Sequence, residues 1–392
     1  MNNNIASNSS PYLIWLFPGY LGGELDAATW LDVTRELRKM GWRVELVCVG
    51  AGGKQTIQGV EVITIQRPEK YLIRHLVFHF RAIQLILKDW NSIHAILFHP
   101  ISLLWLTPLK LKKRPGNKRF PLFVMDTRTV PMEDMSRASW KDRLRGGFTN
   151  AMNRVANRWA DGQTVITPRM AEVLNVTKGK LWGIWPSGVD LDEFIPAQAM
   201  RHWPSEGEPI HLIYPGALSR ERNIPTLCRA VEKANAQGME FILTLIGNGT
   251  EKQNLEKFAS TTGGRVRVLP PVPHDQVPDW LAKAHIGVLP FPEEEKFAVS
   301  SHIKLFEYLG AGLAILATRT VGHCHVMEDG KYVFWAENSD EEGLVNALRN
   351  AWKNRTALRE MGQAAARDAD RWTWHASAMK LDAALKHGMG EG

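Results

Sequence analysis

Residues 300 to 318, SSHIKLFEYLGAGLAILAT, decide how this chain is read. The stretch divides into a short helix and a buried strand. Ser301 has the residue type of an N-cap, whose hydroxyl accepts from the open N–H groups of a first helical turn. Ile303, Phe306 and Leu309 recur at a spacing of three and predict one apolar face. Lys304 and Glu307 share another, wetter face. Gly310 and Gly312 close the helix, and Leu313 to Ala317 follow as a buried strand. A helix N-terminus attracts anions, and a lysine in its first turn adds a full positive charge. A carboxylate one turn on can accept from two neighbouring hydroxyls, as on a ribose. Phosphate plus diol describes a nucleotide or a nucleotide sugar. An amphipathic core helix with a solvated Lys–Glu pair satisfies the same pattern, so the rest of the chain must decide.

A chain of 392 residues exceeds one ordinary core and predicts two domains. Hydrophobic content of 44% and charged content of 23% are those of a soluble globular protein. The formal net charge of +7 favours acidic ligands such as phosphates. Cys48, Cys228 and Cys324 are odd in number and far apart, which fits a reducing compartment without a disulfide framework. The opening MNNNIASNSSP is polar and uncharged, unlike a secretory leader, and no apolar run reaches spanning length. A cytoplasmic protein is expected.

Around the opening stretch, strands and helices alternate. YLIWLF (12–17), the turn PGYLGGEL, a helix from about Asp26 to Met40 and the strand RVELVCV form one βαβ unit. Its turn reads G-x-x-G-G through Gly19, Gly22 and Gly23, an incomplete dinucleotide fingerprint. Residues 71–90 predict a long apolar helix carrying Arg74, His75, His79 and Arg81. Such a mixture can lie on a membrane surface, but a buried helix with a few side chains reaching solvent is the favoured reading. A basic loop (Lys110, Lys112, Lys113, Arg114, Lys118, Arg119) follows beside Trp105 and Leu109, offering contact with anionic lipid or only a solvated loop. Strand 120–125 ends in Asp126-Thr127-Arg128, and strand 93–98 ends in His99; side chains at such strand ends sit where α/β sheets bind ligands. PAQAMRHWPSEGEP (196–209) reads as a linker. The alternation then restarts with strand 210–214, Gly216, the loop SRERN, strand 241–246 and Gly247-Asn248-Gly249. Two βα-alternating halves predict an α/β chain of two Rossmann-like domains, facing each other across a cleft.

At this point the ordered set YPGALSRERNIPTLCRA, LTLIGNG and SSHIKLFEYLGAGLAILAT resembles the nucleotide-sugar domain of retaining glycosyltransferases with the two-Rossmann GT-B fold, group 1 or family 4-like. The glycine turn, WADGQTVIT, PSGVDLDEF and the terminal RWTW helix match the family's order in the remaining chain. The resemblance implies an N-terminal acceptor domain (1–195), a linker (196–209), a nucleotide-sugar domain (210–371) and a C-terminal helix crossing back (372–392). It implies transfer of a sugar, of hexosyltransferase type, from a UDP- or GDP-sugar to a glycan, lipid-linked or other hydroxyl acceptor. It implies no metal or further cofactor, a role in polysaccharide biosynthesis, and contact with anionic membrane at the inner face. Glu307 matches the glutamate that binds the donor ribose, and Lys304 and Arg222 match the basic residues that hold the diphosphate. Gly22 and Gly23 match the loop facing the phosphates; Gly216, Gly247, Gly249, Ser300 and Ser301 fall at donor-lining positions, and Val272 where backbone reads the base. The sequence departs from the pattern at Val299, where many members carry a sugar-contacting glutamate, and at Ala217, where many carry an arginine.

Asp126, Arg128 and His99 are the acceptor-side candidates; a local ion pair and a strand cap are the competing readings. Asp190/Asp192 and Asp368/Asp370 spell D-x-D but sit in unsuitable places. His323-Cys324-His325 offers two nitrogens on one side of an extended segment, an incomplete metal site. A nucleotide-sugar epimerase or hydrolase of the same fold and an inactive binding subunit are the alternatives. The glycine pattern disfavours an NAD-dependent dehydrogenase, and the one basic loop is too short a case for nucleic-acid binding.

Overall fold

The structure is a computed structural model that describes residues 10–21, 27–110, 120–129, 140–328 and 330–391. The chain forms two compact units, Met1–Pro186 with Trp374–Gly392, and Ser187–Thr373.

In the first unit the described strands are β1 (Tyr12–Tyr20), β2 (Arg43–Val49), β3 (Gly53–Ile57), β4 (Val60–Ile65), β5 (Ala95–Phe98), β6 (Leu122–Thr127), β7 (Gly162–Val165) and β8 (Leu181–Ile184). They make one sheet in the order β3-β4-β2-β1-β5-β6-β7-β8. Only the β3–β4 hairpin is antiparallel. Six successive residues of β1, Tyr12 to Phe17, are buried, because a parallel sheet covered on both faces leaves no wet side for alternation. Strand order reverses between β1 and β5, so the ligand crevice of this sheet is expected there. The terminal helix Trp374–Met389 packs on the helix Ala27–Lys39. Trp42 Nε1 donates to Asp382 at 2.7 Å, and His375 Nδ1 meets Glu36 at 2.8 Å. Gly183 permits this docking, since a Cβ there would stand 2.7 Å from the Ala384 methyl.

The helix Tyr71–Lys88 differs from its expected burial. Phe78, Ala82 and Ile86 enter the core, but Ile73, Leu76, Phe80 and Leu87 are exposed. Apolar side chains, not only polar ones, reach solvent. Of the basic loop, Lys110 pairs with Asp161 at 2.7 Å; the remainder lies outside the described residues.

The second unit holds β9 (Ile210–Pro215), β10 (Phe241–Ile246), β11 (Val266–Leu269), β12 (Ile286–Leu289), β13 (Ala314–Thr318) and β14 (Val333–Ala336). Its sheet is parallel in the order β11-β10-β9-β12-β13-β14. The strands run outward from β9 on one side and from β12 on the other. The switch point between β9 and β12 is where such a sheet opens to a ligand.

Three local expectations need correction. Residues 196–209 are not a free linker: a helix covers Leu191–Met200, and the buried Arg201 guanidinium donates to the carbonyls of Leu281, Ala284, Ala311 and Gly312 at 2.7–2.9 Å. Burial pushes its pKa down to about 10. Ser301 is not the N-cap of the decisive helix. That helix is Ile303–Gly310, its cap is His302, and no side chain closes it. Ser301 instead accepts from the Ser187 N–H at 2.9 Å, and the Ser187 hydroxyl donates back to the Ser301 carbonyl at 3.0 Å. His323 and His325 lie on the helix Val321–Met327 rather than on an extended segment; His323 is buried against the Thr318 carbonyl and His325 is exposed. Neither D-x-D pair is arranged as a metal site. Asp190 caps the helix Leu191–Met200, and Asp368 accepts from Tyr332 and Arg371.

Candidate functional site

The site grows from the C-terminal ends of β9 and β12. Gly216 follows β9 with φ +146°, and Gly247 follows β10 with φ +154°, both in the region where a side chain is strained. The two turns touch. A Cβ on Gly247 would fall on the Gly216 carbonyl, and one on Gly249 on the Leu218 carbonyl. Gly216 N–H donates to Ile246, Leu218 N–H to Asn248, and Glu251 N–H to Leu218. Glycine is therefore required at 247 and 249 for backbone to lie on backbone. At 216 the open side faces a cation: a Cβ would stand 3.3 Å from Lys304 Nζ.

Arg222 is aimed by its neighbour. Asn223 adopts a left-handed φ of +62° and donates through Nδ2 to the carbonyls of Pro290 and Ser339, pinning the loop after β9 to the end of β12. The Arg222 guanidinium lies 5.6 Å from the Phe291 ring centroid, and Lys304 Nζ lies 5.8 Å from the same centroid and 5.4 Å from that of Tyr214. Two cations from separate elements thus gather on one aromatic floor, the arrangement of a cation–π platform. Tyr214 is fully buried, its hydroxyl donates to Ala217, and burial pushes its pKa up to about 12. It stays a neutral phenol and subtracts nothing from the local positive charge.

His302 completes the floor, with its ring 4.6 Å from Phe291 and 5.3 Å from His323. Burial holds it well below the usual imidazole range, and the nearby His323, Lys304 and Arg222 add to the effect. Its Nε2 is buried with no hydrogen-bond partner among the described residues.

One turn beyond Lys304, Glu307 is buried with 7% exposure, and its Oε1 lies 3.0 Å from His274 Nε2. His274 in turn stands 3.7 Å from Glu193 through Nδ1. A half-exposed imidazole thus fixes the orientation of a buried carboxylate and leaves acceptor capacity on its second oxygen. Val299, at the position of the missing glutamate, is fully buried.

The second unit therefore brings together Arg222, Lys304, Gly216, Gly247 and Gly249, with Glu307 one helical turn away. Ser300 donates to the Lys296 carbonyl, Ser301 is tied to Ser187, and Val272 is partly buried against the core. Gly22 and Gly23 lie outside the described residues. In the first unit Asp126 and Arg128 are buried in one network. Asp126 accepts from Thr164 at 2.6 Å and from Trp185 Nε1 at 3.0 Å, while Arg128 donates to the Trp185 carbonyl at 2.6 Å with its guanidinium 3.5 Å over that ring. Burial raises the Asp126 pKa and the Arg128 charge opposes the rise. His99 accepts from the Ile101 N–H at 3.2 Å and caps the turn Pro100–Ser102; burial and His75 push its pKa down to about 4. Phe291, Asn223, His274 and His302 escape the sequence pattern; only the position of Phe291 just after a buried strand hints at a site.

Residues 209–354 match the family described as glycosyl transferases group 1. The match falls within the second unit. The D-inositol 3-phosphate glycosyltransferase of Streptomyces avermitilis is 28% identical over 216 residues, 51% of this chain and 45% of that protein. The chain thus spans about half the length of the curated relatives it matches. Sucrose-phosphate synthase from Thermosynechococcus elongatus superposes with a TM-score of 0.78 at 16% identity, over 97% of this chain and 100% of that one. Anabaena HepE in complex with UDP gives 0.68 at 15% identity, over 96% and 100%. These likenesses carry the fold, which is GT-B. Among the described residues no group of three or more metal-binding side chains occurs, and no helix is long and apolar enough to cross a membrane.

Proposed function

We propose that the chain transfers a sugar from a nucleoside-diphosphate sugar to a hydroxyl acceptor, with retention of configuration. The observation that carries this reading is the convergence of Arg222 and Lys304 over Phe291, beside the Gly216 turn and one helical turn from Glu307. Breaking the bond between sugar and phosphate places negative charge on the departing diphosphate. Two fixed cations stabilise that charge more in the transition state than in the bound donor, which lowers the barrier. Glu307, oriented by His274, takes the ribose diol. The phosphates lie at the Gly216 turn, where no Cβ stands between them and Lys304. In this reading the aromatic floor keeps water from the cations and strengthens their field. UDP is the favoured nucleotide, supported by UDP-bound HepE among the proteins of like fold. The chain's own residues need no metal for this step. The acceptor, a glycan or a lipid-linked or other hydroxyl compound, is assigned to the first unit, and polysaccharide biosynthesis at the cytoplasmic side is the setting that suits it.

A thermal-shift screen against UDP-, GDP-, ADP- and TDP-sugars tests the reading, followed by donor turnover with and without acceptors. Stabilisation by UDP-sugars and acceptor-dependent release of UDP are expected; indifference to all four donors would overturn it. One observation favours a second reading, an inactive binding subunit: the buried Val299 leaves no carboxylate at a position where many relatives grip the sugar. Donor binding without turnover across a broad acceptor screen would select it.

A further inference from the structure

An aromatic side chain stands out from the ligand edge of the first sheet. β1 is buried from Tyr12 to Phe17, yet Tyr20, at its C-terminal end, is 49% exposed. Leu16 pairs with Val47 and Tyr20 with Val49, so β1 bulges between them. A bulge re-aims the side chain that follows it, and bulges are over-represented beside active sites. Here Gly19 lies on the Phe17 ring, where a Cβ would stand 2.5 Å from it, and Phe17 packs on Trp30 with centroids 4.0 Å apart. The bulge is thus seated on the core while Tyr20 projects from it. The Tyr20 hydroxyl has no hydrogen-bond partner among the described residues.

Arg67 holds that ring in place. It follows β4, and its Nη1 donates to the Pro18 carbonyl inside the bulge at 2.8 Å. Its guanidinium lies 5.4 Å from the Tyr20 ring centroid. The remaining guanidinium N–H groups have no partner among the described residues. The surroundings are basic. Burial, then Arg74 and Arg67, push the His75 pKa down. Burial, with His75, His99 and Arg67, pushes that of His79 down to about 4. Asp126, at the end of β6, is held by Thr164 and Trp185. A planar donor fork left open in such a place favours a carboxylate or a phosphate, which it can meet with two parallel hydrogen bonds.

We propose that the acceptor is an acidic saccharide, with one sugar ring stacked on Tyr20 and the acid group of that sugar, a phosphate or a carboxylate, paired with Arg67. A pyranose presents an apolar C–H face and a rim of hydroxyls, the complement of an aromatic face with an open hydroxyl at its edge. An acid group on the exocyclic carbon spans the distance to the guanidinium while the ring stays on the tyrosine. A neutral glycan would leave the guanidinium fork unused. A lipid tail would strip water from the Tyr20 hydroxyl without giving it a partner. The proposal rests on the transfer reading and narrows it, making Tyr20 and Arg67 the residues that select the acceptor.

Calorimetric titration of the intact chain with D-glucose, D-glucose 6-phosphate and D-glucuronate tests it, with UDP titrated separately. At least one of the two acid sugars should bind at least about tenfold tighter than glucose, and the tighter of them names the acid group. Arg67→Ala should abolish that preference, and Arg67→Lys, which keeps the charge but not the fork, should retain part of it. Tyr20→Ala should weaken binding of the acid sugar about fivefold, and Tyr20→Trp, which keeps an aromatic face, should preserve it. UDP affinity and melting temperature should be unchanged in all four variants. Binding of neither acid sugar, equal binding of glucose, or a preference that survives Arg67→Ala overturns the inference. Failure of the wild type to bind UDP overturns the transfer reading instead, because acid-sugar binding is read without a donor.

Discussion

Glu307→Ala is the most informative perturbation of the candidate donor site. The carboxylate is 7% exposed, and one oxygen is held by His274 at 3.0 Å. Its remaining acceptor capacity is what a ribose diol would use. A hydrogen bond to a charged group contributes about 1.5–3 kcal/mol. Two such bonds to a diol, discounted because the free hydroxyls are solvated, make a loss of about 3 kcal/mol, or roughly a hundredfold in UDP affinity. Glu307→Gln keeps the shape and one acceptor oxygen, so it should lose about half of that energy, roughly tenfold in affinity. His274→Ala removes only the orientation of the carboxylate and should also cost about tenfold. Isothermal titration with UDP, with thermal unfolding measured in parallel, reads all three. Affinity within about threefold of wild type in Glu307→Ala, a difference of about 0.7 kcal/mol, would refute the diol assignment. An affinity loss accompanied by collapse of the melting transition in all three variants would reassign Glu307 to the core.

Arg222→Ala and Lys304→Ala should each lower turnover about a hundredfold or more, with small changes in melting temperature, because each cation lies over the Phe291 ring where the diphosphate charge would develop; steady-state kinetics with a donor found by the screen reads this. Arg201→Ala should destabilise the second unit by about 3–5 kcal/mol in urea unfolding, since four buried carbonyls lose their donor together. Acid should weaken the fold. His79, His285 and His323 have pKa values pushed down to about 4 by burial, against about 6.5 when unfolded. Folded pKa values below the unfolded ones mean that stability is complete above about pH 6.5 and is lost as pH falls toward about 4. The loss at about pH 5 is about 2 kcal/mol for each histidine, and urea midpoints at the two pH values measure it.

The alternation of elements is legible because a parallel sheet buried on both faces writes its strands as apolar runs, as in YLIWLF and LAILAT. The turns that matter are legible for a related reason: Gly216, Gly247 and Gly249 stand where backbone meets backbone or a cation, and few other residues fit. What escapes the sequence is set by distant partners. Ser301 has the residue type of a cap, but Ser187, 114 positions away, takes its hydroxyl. Residues 196–209 have the composition of a linker, yet Arg201 finds carbonyls 80 to 111 positions on. His274 is one histidine in a proline-rich turn until the fold carries it to Glu307. The helix Tyr71–Lys88 is apolar on nearly every side, so its periodicity does not say which side faces out.

The bridge between Val189 and Thr373 has a topological consequence. The Val189 N–H donates to the Trp372 carbonyl at 3.0 Å, so the chain enters and leaves the second unit side by side. The first unit, whose sequence resumes at Trp374, is interrupted rather than followed. In the language of gene rearrangement the second unit is an insertion with adjoining ends. Such a module can be exchanged for that of a relative by two cuts, near 187 and 373, leaving the register of both strands of the junction intact. Exchange of this kind would replace the whole second unit while the first keeps its own sequence.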